Sequence, residues 1–187
     1  ALALSAICGQ SLGICFARAF VMPRARVMSS MALRDQVLSG ESYFIVEIKS
    51  LRRILTATMQ EPLVLCFIDE ILRGTNTIER IASSTSLLRY LRSQPALCMA
   101  ATHDIELTQL LPDYQQFHFR EEMTNTGMTF PYRLMTGPST TRNAIRLLAQ
   151  LDFPDRVVAG ADALAAGFAN SGAWEQAAQN RIKKEGQ

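Results

Sequence analysis

The sequence predicts an α/β fold built on a largely parallel sheet, and three observations carry that prediction. Residues 63–68 (LVLCFI) and 96–101 (ALCMAA) are short, continuous apolar runs, each stopped by polar residues. Between them, residues 78–93 fit a helix with Ile81, Leu87, Leu88 and Leu91 turned inward. A six-residue run with no polar alternation suits a strand covered on both faces, as in a parallel sheet flanked by helices. Strand, helix, strand in that order is a right-handed crossover with both strands parallel.

A chain of 187 residues is enough for one domain with a sizeable core. At 48% hydrophobic and 19% charged, with no low-complexity tract, its composition is that of an ordinary globular α/β protein. The net charge of +2 neither demands nor excludes a nucleic-acid partner. Four cysteines without a Cys-x-x-Cys pair, and only two histidines, argue against a structural zinc site. Cys66 and Cys98 sit inside the two apolar runs and read as buried free thiols, which suits a reducing cytosol and a cytoplasmic location.

Taken in chain order, Ala1 to Phe20 is the most apolar stretch. No cationic segment precedes it, Ser5, Gln10 and Ser11 interrupt it, and Arg18 closes it, so a buried core helix is read in preference to a signal peptide or a membrane span. An opening in mid-helix without a Met is read as a piece of something longer. Residues 42–59 carry Phe44, Ile45, Ile48, Leu51, Ile54, Leu55 and Met59 at helical spacing, with Glu47, Lys49, Arg52 and Arg53 on the polar side. The three cations there are read as a solvated face, and no DNA contact is assigned to them. Leu38-Ser39-Gly40-Glu41-Ser42 in front is rich in helix-capping residue types.

Beyond the second strand, residues 116–121 and 128–134 alternate around Thr124-Asn125-Thr126-Gly127, which predicts an antiparallel hairpin. Helices are read over 139–151 and from about Pro154 to Ala166. The segment 173–187, with Arg181, Lys183 and Lys184, is read as a polar helix or a frayed tail. The domain division is 1–170 for the main domain and 171–187 for the tail.

Candidate chemistry sits at the two strand ends. Ligands of open α/β sheets bind at the carboxyl ends of the strands. Asp69 there could hold Mg²⁺ through water, and Glu70 beside it could polarise a water attacking a terminal phosphate. Taken alone, an apolar run followed by two acids is read sooner as a strand end whose carboxylates cap the next segment. His103 closes the second strand; if the strands are neighbours, it reaches the rim that carries Glu70 and can donate to a phosphate oxygen. Taken alone, His103 is read sooner as a loop residue satisfied by backbone; two strand-end polar groups separated by one crossover helix together tip the reading towards a nucleotide site.

Three segments then resemble one family. Residues 67–77, Phe-Ile-Asp-Glu-Ile-Leu-Arg-Gly-Thr-Asn-Thr, resemble the Walker B and following loop of the MutS family. Ala101-Thr102-His103-Asp104-Ile105-Glu106-Leu107-Thr108 resembles its Ala-Thr-His-x-x-Glu-Leu-Thr segment, and Gly40-Glu41-Ser42-Tyr43-Phe44-Ile45-Val46-Glu47-Ile48 resembles its signature segment. Order and spacing agree as far as about residue 160. The resemblance implies a P-loop NTPase-like, ABC-type three-layer fold with an antiparallel hairpin, incomplete at its N-terminus, and ATP and Mg²⁺ as cofactors. It implies Asp69 as the metal residue, Glu70 and His103 as catalytic residues, and Ser42, Gly74, Thr75 and Asn76 as nucleotide-binding residues in a site shared between two subunits. A second ATPase subunit, taken as a second copy, and DNA held by other domains are the implied partners.

Two departures qualify the resemblance. The Gly-x-x-x-x-Gly-Lys-Ser/Thr loop is nowhere in the chain, so this polypeptide alone is expected to be inactive. Tyr43 replaces the usual Thr of the signature, and Leu72-Arg73 replaces Gly-Arg, which suggests a divergent branch. Two rivals stand beside this reading. Leu38-Ser39-Gly40 echoes other ABC-type ATPases, though Glu41 and the Phe-x-x-Glu pattern favour MutS. The other rival is a catalytically silent module that uses the fold only to dimerise or interact.

Overall fold

The computed structural model describes residues 1–31, 42–120, 122–124, 127–139 and 143–171. Leu38 to Glu41, the turn residues Asn125 and Thr126, and the tail 173–187 lie outside the described residues. The chain divides into two compact units, residues 1–118 with 136–138, and residues 119–135 with 139–187.

The first unit holds a parallel sheet of β1 (Arg26–Ser30), β2 (Val64–Asp69) and β3 (Ala96–Ala101), ordered β1-β2-β3. The register sets Met28 against Cys66 and Cys66 against Cys98, and it carries Asp69 level with Ala101. The crossovers are α2 (Tyr43–Gln60) and α3 (Thr77–Arg92). Both crossovers step the same way across the sheet, so right-handed connections put both helices on one face. On that face Val64, Cys66 and Ile68 pack with Leu51 and Ile54 of α2 and Leu88 and Leu91 of α3. Each such aliphatic side chain contributes about 1.5–3 kcal/mol by leaving water.

The opposite face of β2, Leu65 and Phe67, is covered by α1 (Leu2–Leu12), whose Ala6 is fully buried between them and Phe20, Met22 and Val27. Helix, sheet and helices thus make the three layers that the sequence predicts, around a parallel sheet. Cover on the α1 side is partial. Leu97 and Met99 of β3 share the face of Leu65 and Phe67, yet Leu97 stays 62% exposed.

Several details differ from the sequence reading. The N-terminal helix ends at Leu12 because Gly13 takes a left-handed cap with φ 68°, and it buries only Ser5 and Ala6 while Leu4, Ile7 and Leu12 are exposed. An all-round apolar stretch does not say which side will find a partner. Strand β1 was not foreseen, since Arg-Val-Met-Ser-Ser is neither a continuous apolar run nor a clean alternation. On α2 the inward face runs through Glu47, Ser50, Leu51, Ile54 and Thr58, while Ile45, Ile48 and Met59 are exposed. Cys66 is buried and free as read, but Cys98, also free, is only half-buried.

A short helix, α4 (Glu106–Leu110), follows β3 and buries Leu107. The hydroxyl of Tyr114 beyond it donates to the Leu88 carbonyl at 2.8 Å. Burial pushes that phenol's pKa up to about 12. Further on lie the short strands β4 (Phe117–Phe119), β5 (Glu122–Thr124), β6 (Gly127–Thr129) and β7 (Leu134–Thr136). In the second unit β5 and β6 form the antiparallel hairpin, with Glu122 opposite Thr129 and Thr124 opposite Gly127. The paired residues flank positions 125–126 and lie closer to them than the predicted arms 116–121 and 128–134. Helices α5 (Ala144–Gln150) and α6 (Asp155–Ser171) pack on each other; α6 runs on past the predicted Ala166. Among the described residues, no helix is long and apolar enough to cross a membrane.

Candidate functional site

The site lies at the carboxyl ends of β2 and β3. Because the two strands are adjacent and in register, the residues just past Asp69 and Ala101 emerge side by side. The backbone N–H of Glu70 donates to the Ala101 carbonyl at 2.9 Å, extending the ladder one step past the strand. The chain then turns sharply, with Glu70 at φ 52° and Leu72 at φ 58°. A left-handed backbone costs roughly 1–2 kcal/mol in a residue with a β-carbon. Leu72 occupies the position where the MutS pattern has Gly, so the family's residue choice has a conformational reason at this point.

Glu70 and His103 are brought together: Nε2 of His103 lies 3.3 Å from Oε1 of Glu70. The other oxygen of Glu70 pairs with Nε of Arg73 at 2.5 Å. Glu70, Ile71, Arg73, Arg80, Thr102, His103 and Asp104 line a cleft of about 210 Å³. A larger cleft of about 400 Å³ runs along α2 and β1 beside Arg26 and the cations Lys49, Arg52 and Arg53 read as a solvated face, but it holds none of the catalytic, nucleotide-binding or metal residues expected from sequence. The strand-end cleft is the better site because the carboxylate, the imidazole and two guanidiniums converge there.

The other sequence-predicted residues do not line this cleft. Asp69 is the exposed last residue of β2. Ser42 is the N-cap residue of α2, extended at φ −67° and ψ 151°, with no cap bond from its side chain. Asn76 caps α3 by accepting the Glu79 amide at 3.0 Å, and Thr75 donates to the Glu79 carboxylate at 2.7 Å. Gly74 lies against Phe44 of α2 so closely that a β-carbon there would stand 2.8 Å from the Phe44 β-carbon.

Sequence reasoning missed three contributors. Glu47, read as part of the polar face of its helix, is 2% exposed. Its Oε1 accepts the Leu72 amide, and the amides of Arg73 and Gly74 face the same carboxylate, while Oε2 is buried without a hydrogen-bond partner. Burial raises its pKa above the ordinary 4.5, against the pull of those amides. A carboxylate three residues after the Phe that meets Gly74 was visible in the sequence, but its inward direction was not. Tyr43 is the second: its phenol is hydrogen-bonded to Arg73, and burial raises its pKa first, the Glu47 charge second. Arg80 is the third, paired with Asp104 across the rim of the cleft.

In chemical terms, this arrangement presents the Glu70 carboxylate and one imidazole at the mouth of an α/β sheet, with two guanidiniums and the Arg80-paired carboxylate of Asp104 beside them. That is the equipment of a site acting on an anionic group, with a proton acceptor at its centre. A family model, MutS domain V, matches residues 3–169, and the chain belongs to that family. It is 30% identical over 139 residues to the DNA mismatch repair protein MutS of Thermus aquaticus, covering 74% of this chain and 17% of that protein. It is also 31% identical over 147 residues to the MutS of Natronomonas pharaonis, covering 76% and 17%, and 29% identical over 166 residues to that of Thermosipho melanesiensis, covering 87% and 20%. The chain therefore spans a fifth or less of the length of these relatives.

Proposed function

We propose that this chain is the larger part of a MutS-type ATPase domain from a divergent branch, separated from its phosphate-binding loop, and that its parent couples ATP hydrolysis to DNA mismatch repair. The observation that carries this reading is the meeting of Glu70 and His103 at 3.3 Å where two parallel strands end. Family membership supports the same assignment.

In this reading Glu70 accepts the proton of the water that attacks the terminal phosphate of ATP. Arg73, paired with the other carboxylate oxygen, holds it in orientation. His103, with its side chain 92% exposed beside Glu70, donates a hydrogen bond to a terminal phosphate oxygen. Asp69 fits a magnesium site of the water-mediated kind, being an exposed carboxylate at a strand end, where Mg²⁺ typically takes one or two carboxylates and keeps its waters. The ion, when bound, would offset the phosphate charge. Ser42, at the exposed start of α2, reaches the nucleotide of a second subunit, and Gly74, Thr75 and Asn76 form the loop between the two sites. DNA is held by other domains of the parent, which works in the cytoplasm. Residues 1–170 belong to the ATPase domain and 171–187 to its tail.

The test is Mg²⁺-dependent ATP hydrolysis by this chain and by a polypeptide that carries it together with an upstream phosphate loop. The chain alone should be silent. The longer form should hydrolyse ATP and lose roughly a hundredfold or more in kcat with Glu70→Gln, the range for removing a positioned general base. Absence of ATP binding in the longer form would overturn the ATPase reading and favour a silent interaction module.

A further inference from the structure

His103 has little packing of its own, for its side chain is 92% exposed and its contact is the Glu70 carboxylate. Its place is therefore inherited from the backbone on either side. On one side it follows β3, which ends at Ala101. On the other side stands Asp104, and this residue is fastened at three points. Its amide donates to the Thr102 hydroxyl at 3.0 Å, and its carbonyl accepts the Leu107 amide at 3.2 Å. Its carboxylate takes a two-pronged bond from Arg80, Nε to Oδ2 at 2.7 Å and Nη2 to Oδ1 at 2.5 Å.

The Arg80–Asp104 pair differs from an ordinary surface ion pair. The side chains are only 24% and 13% exposed, and two parallel bonds fix the angle of the guanidinium as well as its distance. Exposed single-contact pairs contribute little because two long side chains must be frozen for one weak contact. Arg80 is itself anchored, its amide donating to the Asn76 carbonyl at 2.9 Å in the first turn of α3. That turn is the direct continuation of the loop that begins at Glu70. The pair thus ties the segment bearing His103 to the segment bearing Glu70 through a second route, independent of the sheet.

We propose that Arg80 is a positioning residue for the phosphate chemistry at this site, holding the His103 loop at its working distance from Glu70 through its two-pronged bond to Asp104. The proposal rests on the ATPase reading for its catalytic consequence, but the structural link can be tested without it.

The first arm uses the chain itself. With only two histidines in the sequence, the imidazole signal of His103 is readily assigned by NMR. The wild-type chain should show cross-relaxation between His103 and Glu70 and ordered amides at 102–104. Arg80→Gln and Asp104→Asn should each abolish the first and loosen the second, and the charge swap Arg80→Asp with Asp104→Arg should restore both. An unchanged His103–Glu70 contact in Asp104→Asn overturns the proposal, and so does a charge swap no better than the single variants; these decide even if Arg80→Gln fails to fold.

The second arm uses the longer polypeptide that carries the phosphate loop. Arg80→Gln should lower kcat roughly tenfold to a hundredfold, the scale for a reacting group displaced by about an ångström, with KM for ATP little changed. Arg80→Lys should recover only part, since an ammonium cannot form the fork. Should Glu70→Gln abolish hydrolysis while Arg80→Gln leaves kcat intact, the positioning role fails and the ATPase reading stands. If instead the longer form neither binds nor hydrolyses ATP, the ATPase reading fails, and the first arm still decides whether the link exists.

Discussion

At Gly74 the chain has no room for a β-carbon, and the obstacle is the Phe44 β-carbon itself, with its ring Cδ2 at 3.0 Å. Gly74→Ala should therefore push the loop away from α2 and destabilise the first unit by about 1–3 kcal/mol, the usual cost of overpacking, read as a lower urea midpoint. Phe44→Ala should not rescue it, because the offending carbon remains. Glu47 makes the complementary contact a few residues along α2. Its folded pKa lies above the unfolded one, so its contribution to stability is fully present below the ordinary 4.5 and is lost as pH rises through the folded value. Glu47→Gln keeps an acceptor for the Leu72 amide and removes the charge. The stability of this variant relative to wild type should accordingly rise between pH 4.5 and 7, as measured by urea unfolding at both pH values. A wild type that gains on Glu47→Gln with rising pH would contradict the burial account.

Among the elements, α3 shows how a local choice positions the site. Asn76 supplies the acceptor that the first turn of the helix lacks, and Asn76→Ala should cost about 1 kcal/mol of stability, read as a lower urea midpoint, with Asn76→Ser nearly silent. The sequence was informative at this scale wherever an element was buried evenly. The strand at 63–68 and the helices at 42–59 and 78–93 were legible because apolar runs and periodicity reflect burial on two faces or on one stripe; the run at 96–101 gave its strand correctly but not its cover, since Leu97 and Met99 are exposed on one face. Strand β1 was not legible, since Ser29 and Ser30 are stabilised by neighbours rather than by their own pattern: Arg53 donates to the Ser29 carbonyl at 3.3 Å, and Ser30 sits buried. Helix α1 was legible as apolar but not as half-covered. For the candidate site, Glu70 and His103 were readable from strand-end logic. Arg80, Glu47 and Tyr43 were not, because an Arg or Glu on an amphipathic helix looks solvated until the loop that turns it inward is in place.

For the molecule as a whole, the partial cover of the sheet has a measurable outcome. Leu97 and Met99 stand exposed on β3, which is the last strand of its sheet among the described residues. Exposed apolar edge strands invite pairing with other chains. The wild-type chain should self-associate with rising concentration, and Leu97→Lys should suppress this in light scattering without lowering the urea midpoint. Equal scattering from both proteins would place the sticky surface elsewhere. The order of the strands has a further consequence. Because β1, β2 and β3 lie in space in the order in which they occur in the chain, none of these three strands has to be threaded between the other two. Each can dock on the growing edge as it leaves the ribosome, with its crossover helix packing onto the same face. In this three-stranded sheet each pairing is then closed by the next strand to be synthesised, which keeps loop closures short and suits assembly during translation.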